Sequence, residues 1–297
     1  MTSLLLGYLG PLGSNSHQAV STARQHWYED DSSPLNEIPY GTISHLLEAL
    51  VLKQVDIAVL PYENGLEGTV VEVLDFLGKA EHPAFVQAEF LQPIEHALMI
   101  QTPQSQTHLD AVYSHQMALG QCKDSLKEKF GTAVHLIPTA STAEAAKQLA
   151  GLSFEEAQGK GVLATLMAAQ LHGLHVIEPN CSDATHNITR FVVVSASPEW
   201  PSHFPRFKNE NASLKTSLCV GLHEYPGVLT EYLQVFQRYW VNLTKIESRP
   251  TREHYGEYRF YLDAEGDLAS IAEGRLLAEL KARSRYFHVQ GAYRCLG

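Results

Sequence analysis

The chain has 297 residues, 44% hydrophobic and 19% charged, the balance of a globular protein rather than a disordered one. Its 22 Lys and Arg against 33 Asp and Glu leave a net charge of −11, which argues against nucleic acid or an anionic membrane as the main partner. At this length two or three compact units are expected. No uncharged apolar run approaches the ~20 residues of a membrane span. Residues 1–10 lack the basic start and cleavage site of a secretory signal. Four scattered cysteines (Cys122, Cys181, Cys219 and Cys295) have neither metal nor redox spacing and read as reduced thiols of a cytoplasmic protein.

In chain order, residues 4–9 are an apolar strand, Gly10 to Ser16 is turn chemistry, and 17–28 can form a helix. The pattern recurs with a buried strand at 55–60, a loop from Pro61 to Gly68, and a helix at 70–77 with apolar spacing. A strand near 111–113 leads into a helix reaching about Phe130, and a strand follows at 134–137. Ser141-Thr142-Ala143-Glu144 reads as a capping box opening the next helix. Further strands are expected at 161–165, 174–177 and 188–195, so the architecture is α/β with mainly parallel sheets. Residues 197–212 hold Pro198, Pro201 and Pro205 without periodicity and read as an interdomain linker. Beyond it come a strand at 216–222, a helix at 227–239, strands at 241–247 and 258–263, a helix from 268 to about 283, and a strand at 286–293. That βαββαβ order is ferredoxin-like.

Several polar clusters fall where chemistry is expected. Pro61-Tyr62-Glu63-Asn64 follows a buried strand, and the carboxyl ends of strands in α/β sheets face the ligand crevice. By itself the cluster also fits a simple turn. Tyr113-Ser114-His115 also ends a strand, with Gln121 in the next helix, and Ser114 is equally suited to capping that helix. No G-x-S-x-G elbow surrounds it, which argues against a hydrolase. Gly10 to Ser16 lacks the G-x-G-x-x-G pattern of a dinucleotide site but can hold an anion on backbone amides. His172 and His175 have no third ligand at a diagnostic spacing, so no metal site is expected. Pro226-Gly227-Val228-Leu229 opens a helix, and Glu247-Ser248-Arg249-Pro250 ends a strand. Turn formation and ligand binding fit these two equally well.

Taken in order, Gly7-Tyr8-Leu9-Gly10-Pro11-Leu12-Gly13-Ser14, Pro61 to Gly68, Tyr113-Ser114-His115 with Gln121-Cys122, and Ser141 to Ala146 resemble one family. Asn187-Ile188-Thr189-Arg190-Phe191, Lys215 to Leu218, Pro226 to Leu229 and Asn242 to Pro250 continue the match over nearly the whole chain. The family is that of the prephenate dehydratases with a C-terminal ACT regulatory domain, in the monofunctional form. Two positions depart from its pattern: Ser14-Asn15-Ser16 stands where Thr-Phe-Ser is usual, and Val228 stands where Ala is usual.

The resemblance implies a two-lobed α/β catalytic unit, periplasmic-binding-protein-like, at 1–197. Lobe 1 covers about 1–78 and 178–197, and lobe 2 about 79–177. A linker at 198–213 leads to the ACT unit at 214–297. It also implies decarboxylating dehydration of prephenate to phenylpyruvate, with no cofactor. Ring aromatisation drives the reaction, and departing hydroxide needs a proton donor. By resemblance Thr189 is that donor, Glu63, Asn64, Ser114 and Gln121 position it, and Arg190 and Ser14 hold the substrate carboxylates. Phenylalanine is the expected effector at Gly227, Val228, Leu229, Glu247, Ser248, Arg249 and Pro250, at an interface in a dimer or tetramer. Two alternatives remain: arogenate dehydratase, and a non-catalytic small-molecule-binding regulator on the same scaffold.

Overall fold

The structure is a computed structural model that describes residues 4–27, 35–103, 108–202, 204–209, 211–252 and 254–296. Residues 1–3 of the expected first unit, and Tyr28 at the end of its first expected helix, lie outside them. So do His203 and Glu210 of the expected linker, and Gly297 at the end of the expected last unit.

Strand β1 (Leu4–Leu9), helix α1 (Asn15–Gln25), β2 (Leu35–Tyr40), α2 (Ile43–Val51) and β3 (Ile57–Asn64) wind a parallel core, with β1 between β2 and β3. Ile57 to Leu60 are fully buried because helices and loops cover both faces, which is why the run reads as continuously apolar. After β4 (Gly68–Thr69), α3 (Val71–Leu77) and β5 (Phe85–Pro93), the chain leaves this sheet.

It then builds a second sheet from β6 (Ala97–Ile100), β7 (Ala111–His115), α4 (Gln116–Gln121), α5 (Lys123–Phe130), β8 (His135–Thr139), α6 (Thr142–Ala150), β9 (Lys160–Ala164), α7 (Leu166–His172) and β10 (His175–Glu178). The strand order there is β10-β6-β9-β7-β8. Ser141 caps α6 by accepting from Glu144 N at 3.0 Å, one half of the expected box. Glu144 Oε1 accepts instead from Gln148. The single helix expected up to Phe130 is broken at Cys122, which ends α4 and precedes α5.

The chain returns through β11 (Ile188–Ser195), which lies antiparallel between β3 and β5. The first sheet is therefore mixed, not mainly parallel. Two short crossings, 94–96 and 179–187, join the lobes, and the cleft lies between them.

The C-terminal elements are β12 (Leu214–Leu222), α8 (Val228–Arg238), β13 (Leu243–Pro250), β14 (Tyr258–Glu265), α9 (Arg275–Ala282) and β15 (Ser284–Leu296). Their sheet order β13-β14-β12-β15 is the ferredoxin-like one. The helix expected from 268 starts as a 3₁₀ turn with Ala272 and Glu273 at positive φ, so α9 proper begins at Arg275.

Two features tie this unit to the first lobe. Arg294, Cys295 and Leu296 of β15 pair in parallel with Ala88, Glu89 and Phe90 of β5, making one ten-stranded sheet. A Cβ added at Gly291 would lie 2.3 Å from the Val86 carbonyl oxygen, so only glycine permits that approach. The proline-rich connection is also no free tether. Phe204 and Phe207 are buried, and Trp200 packs with them at ring-centroid distances of 5.8 and 4.6 Å. Trp27 meets Phe204 edge-on at 6.1 Å, so aromatic burial holds the segment onto the first lobe. Among the described residues no helix is long and apolar enough to cross a membrane.

Candidate active site

The cleft between the lobes encloses about 540 Å³. The first lobe brings Gly10, Ser14 to Ser16, Pro61, Asn64 and Thr69 to it; the second brings His115, Gln121, Ser141 and Thr142; the crossings and β11 bring His96, Asn187 and Thr189. A close contact beside it joins the lobes. Thr165, which caps α7 by accepting from Ala168 N, donates its hydroxyl to the Gly13 carbonyl at 2.6 Å. Gly13 has φ +80, and a Cβ there would come within 3.2 Å of Ala168, so glycine suits both the backbone and the approach.

Thr189 is 6% exposed, and its hydroxyl sits in a chain of amides. Asn64 Oδ1 accepts from the backbone N–H groups of Leu66 and Glu67 at 2.9 and 3.0 Å. That fixes the amide orientation, because an NH₂ could not face two donors. Asn64 Nδ2 therefore donates to Thr189 Oγ1 and to Asn187 Oδ1, both at 2.8 Å. Thr189 is the acceptor in its bond with Asn64, which leaves its own hydrogen for the cleft. Asn187 Nδ2 in turn donates to Gln121 Oε1 at 3.1 Å, and His96 Nε2 lies 3.0 Å from the same oxygen. Burial lowers the His96 pKa, with the Gln121 hydrogen bond opposing, so the imidazole is neutral near pH 7.

The structure brings Thr189, Asn64, Gln121 and Ser14 to this one cleft. The Ser14 hydroxyl is occupied: it donates to the Leu9 carbonyl and accepts from His17 N, both at 3.2 Å, as the N-cap of α1. Asn15 and Ser16, at the start of α1, also line the cleft. Three expected residues lie elsewhere.

Ser114 is fully buried and donates to the Leu163 carbonyl at 2.6 Å, holding β7 to β9. Its neighbour His115 caps α4 and lines the cleft instead.

Glu63 is turned away by a bulge. The register of β3 on β11 runs Asn64 with Thr189, Glu63 with Arg190, then Pro61 with Phe191, leaving Tyr62 extra. The extra residue shifts the alternation, so Pro61 and Asn64 face the cleft while Tyr62 and Glu63 face the C-terminal unit. There Glu63 pairs with Lys245 at 3.0 Å.

Arg190 follows Thr189 along a strand and must point to the opposite face. It donates to Asp263 at 2.6 Å and to Tyr293 OH at 2.8 Å, pairs with Glu89 at 2.5 Å, and lies over the Tyr62 ring. Its expected contact with a substrate carboxylate is replaced by this junction. Burial works against its charge, but Tyr293, Asp263 and Glu89 outweigh burial and keep the guanidinium protonated. Glu89 is likewise penalised by burial, yet Arg190 and Lys215 hold its pKa below the usual carboxylate range. The residues lining the cleft include no Lys or Arg among the described residues.

The seven expected effector residues do not share one pocket in the single chain. Gly227, at φ 91, caps α8, and Leu229 is half-buried on its first turn. Val228 lines a cavity of about 320 Å³ with Leu222, Tyr225, Thr251 and Tyr258. Along β13, alternation sends Ser248 and Pro250 to solvent and Glu247 and Arg249 to the first lobe. Glu247 accepts from Thr69, and Arg249 bonds Asp75 at 3.1 and 3.3 Å. Sequence reasoning missed His96 altogether and quoted Asn187 only within a motif. A single polar residue between strands carries no spacing signal.

The prephenate dehydratase family matches residues 6–199. Prephenate dehydratase from Bacillus subtilis is 32% identical over 97% of this chain and 98% of its own length. Arogenate dehydratase/prephenate dehydratase 2 of Arabidopsis thaliana is 31% identical over 97% of this chain and 72% of its own. Among solved structures, prephenate dehydratase from Arthrobacter aurescens in complex with L-Phe superposes with a TM-score of 0.78 at 27% identity, covering 98% of this chain and 90% of that one. A threonine held by an amide ladder in an interlobe cleft thus sits within a match that spans both units, and the chain belongs to the prephenate dehydratase family.

Proposed function

We propose that the chain converts prephenate to phenylpyruvate, carbon dioxide and water in the interlobe cleft, with Thr189 as hydrogen-bond donor to the leaving hydroxyl. The observation that carries this reading is the Asn64 amide, pinned by Leu66 N and Glu67 N, which donates to Thr189 Oγ1 at 2.8 Å and leaves the threonine hydrogen free. As the carbon–carboxylate bond breaks, its electron pair enters the ring and the ring carbon–oxygen bond breaks. The departing oxygen receives a proton through the Thr189 hydroxyl, which solvent restores. A hydroxyl is a weak acid in water, so fixed dipoles around the developing charge must supply the stabilisation.

Prephenate carries two carboxylates, and the cleft lining offers no cationic Lys or Arg to meet them. The amides at the starts of α1 (Asn15, Ser16) and α6 (Thr142) take that role in this reading, because helix N-termini favour anions. Phenylalanine acts through the C-terminal unit of a homo-oligomer, dimer or tetramer, in the cytoplasm. The L-Phe complex of the Arthrobacter relative supports the effector. One ten-stranded sheet joins that unit to β11, giving a physical route from effector to cleft.

The test is phenylpyruvate formation from prephenate, with and without phenylalanine, and with arogenate as a parallel substrate. Turnover of prephenate suppressed by phenylalanine is the expected result. Product from arogenate alone moves the substrate to arogenate. Product from neither favours the binding-protein alternative.

A further inference from the structure

Four side chains behind Thr189 form one directed path. Asn64 bonds Asn187 at 2.8 Å, Asn187 bonds Gln121 at 3.1 Å, and His96 Nε2 stands 3.0 Å from Gln121. Each amide orientation follows from the one before it. The backbone amides of Leu66 and Glu67 make Asn64 Oδ1 the acceptor, so Nδ2 faces Asn187. Asn187 must then present Oδ1 to Asn64 and Nδ2 to Gln121. Gln121 must present Oε1 to both Asn187 and His96, so His96 can only donate to it, through a protonated Nε2.

His96 is suited to that one tautomer. It is 3% exposed, and among the described residues no hydrogen-bond partner reaches its Nδ1. A proton on Nδ1 would leave a buried donor unpaired, whereas a bare ring nitrogen leaves only an acceptor. The main chain at His96 is fixed as well, because its carbonyl accepts from Cys181 N at 2.8 Å across the two interlobe crossings. The path therefore begins at the crossings and ends at the hydroxyl in the cleft.

We propose that His96 is a positioning residue for the reaction: as the neutral Nε2–H tautomer it holds Gln121, and with it Asn187, in place behind the Asn64 amide that donates to Thr189. The proposal rests on the prephenate reading, and its test separates the two. Wild-type turnover is measured first, so failure of that reading appears before any variant is made.

His96→Gln keeps a donor close to the Nε2 position, while His96→Asn is polar but too short to reach Gln121, and His96→Ala has no donor. In His96→Asn and His96→Ala, kcat falls roughly 10- to 100-fold with KM within about threefold, the scale of a small misplacement at the reacting atom. His96→Gln recovers kcat to within about fivefold of wild type. The split between kcat and KM, and the ranking of Gln above Asn, are effects a merely structural role would not produce. An Ala variant with wild-type kcat overturns the proposal, and so does a folded Gln variant as impaired as Ala.

A second readout needs no turnover. Long-range proton–nitrogen correlation spectra of histidine-labelled protein, with His96→Gln identifying the signal, are expected to show the His96 proton on Nε2. A proton on Nδ1 alone overturns the proposal whatever the substrate proves to be.

Discussion

The two faces of β11 carry opposite kinds of polar cluster. On the cleft face, Thr189 accepts from Asn64, and the chain behind that amide is neutral: Asn187, Gln121 and an uncharged His96. On the other face, one residue along, Arg190 meets Asp263, Glu89 and Tyr293, with Lys215 on Glu89 at 2.6 Å. Neutral amides can fix a hydroxyl without imposing a charge on a site that must receive an anion. Buried charges lose water's solvation and are tolerable only when fully paired, so a charged cluster fixes register between units rather than contributing much net stability. The cleft face thus reads as chemistry and the junction face as assembly. Thr69 belongs to both: it lines the cleft, accepts from Lys245 at 2.9 Å and donates to Glu247.

Breaking the junction is expected to give the largest effect on stability. Asp263 accepts from Arg190 at 2.6 Å and from Ser217 at 2.5 Å and is 1% exposed. Asp263→Asn leaves the Arg190 charge under-compensated and costs about 3 kcal/mol or more, read from urea unfolding. A loss below 1 kcal/mol would show that the cluster does not hold the units in register.

Breaking the cleft face acts on rate instead. Asn64→Asp keeps the acceptor for Leu66 N and Glu67 N but replaces the donor beside Thr189 with an acceptor. Thr189 then donates its hydrogen to the new carboxylate and withdraws it from the cleft. A fall of about 100-fold in kcat is expected, ~2.7 kcal/mol, with stability changed far less. Unchanged kcat would remove the orientation argument.

Acid titration sharpens the contrast. Burial alone would raise the Glu89 pKa, but Arg190 and Lys215 bring it below the ordinary value. A lowered folded pKa means the unfolded chain binds the proton first. The stability is therefore fully present above the unfolded value of about 4.3 and is lost as pH falls through the folded one. Glu89→Gln should flatten the acid limb of a stability–pH curve in that window; an unchanged limb would place the linkage elsewhere.

Glu63→Gln gives the smallest effect. Its side chain is 39% exposed and pairs with Lys245 outside the cleft, so under about 1 kcal/mol of stability and little kcat are lost. A loss of kcat near that of Asn64→Asp would return Glu63 to the site.

Much of this contrast was legible in the residues. Alternation in Ile188-Thr189-Arg190-Phe191 already sets Thr189 and Arg190 on opposite faces, and the apolar runs of β3 and β11 announced buried strands. The βαββαβ order of the last unit was also readable. Glu63 was misplaced because a bulge at Tyr62 depends on the partner strand's register, which no local pattern encodes. β2, a short edge strand carrying Pro39, lacks a clean apolar alternation, and β5 and β6 escaped reading because their pairing is decided by strands far along the chain. The junction was hidden for the same reason. Arg190 is 73 positions from Asp263 and 103 from Tyr293, and only the joined sheet brings them together.

The central claim is that the Thr189 hydroxyl serves the leaving oxygen, and the most direct measurement is phenylpyruvate formation from prephenate by Thr189→Ser and Thr189→Ala beside wild type. Thr189→Ser retains a hydroxyl that Asn64 can still reach and is expected to keep measurable turnover. Thr189→Ala should lose on the order of 1,000-fold in kcat while its unfolding midpoint stays near wild type. A folded Ala variant that turns over prephenate as fast as wild type would contradict the account.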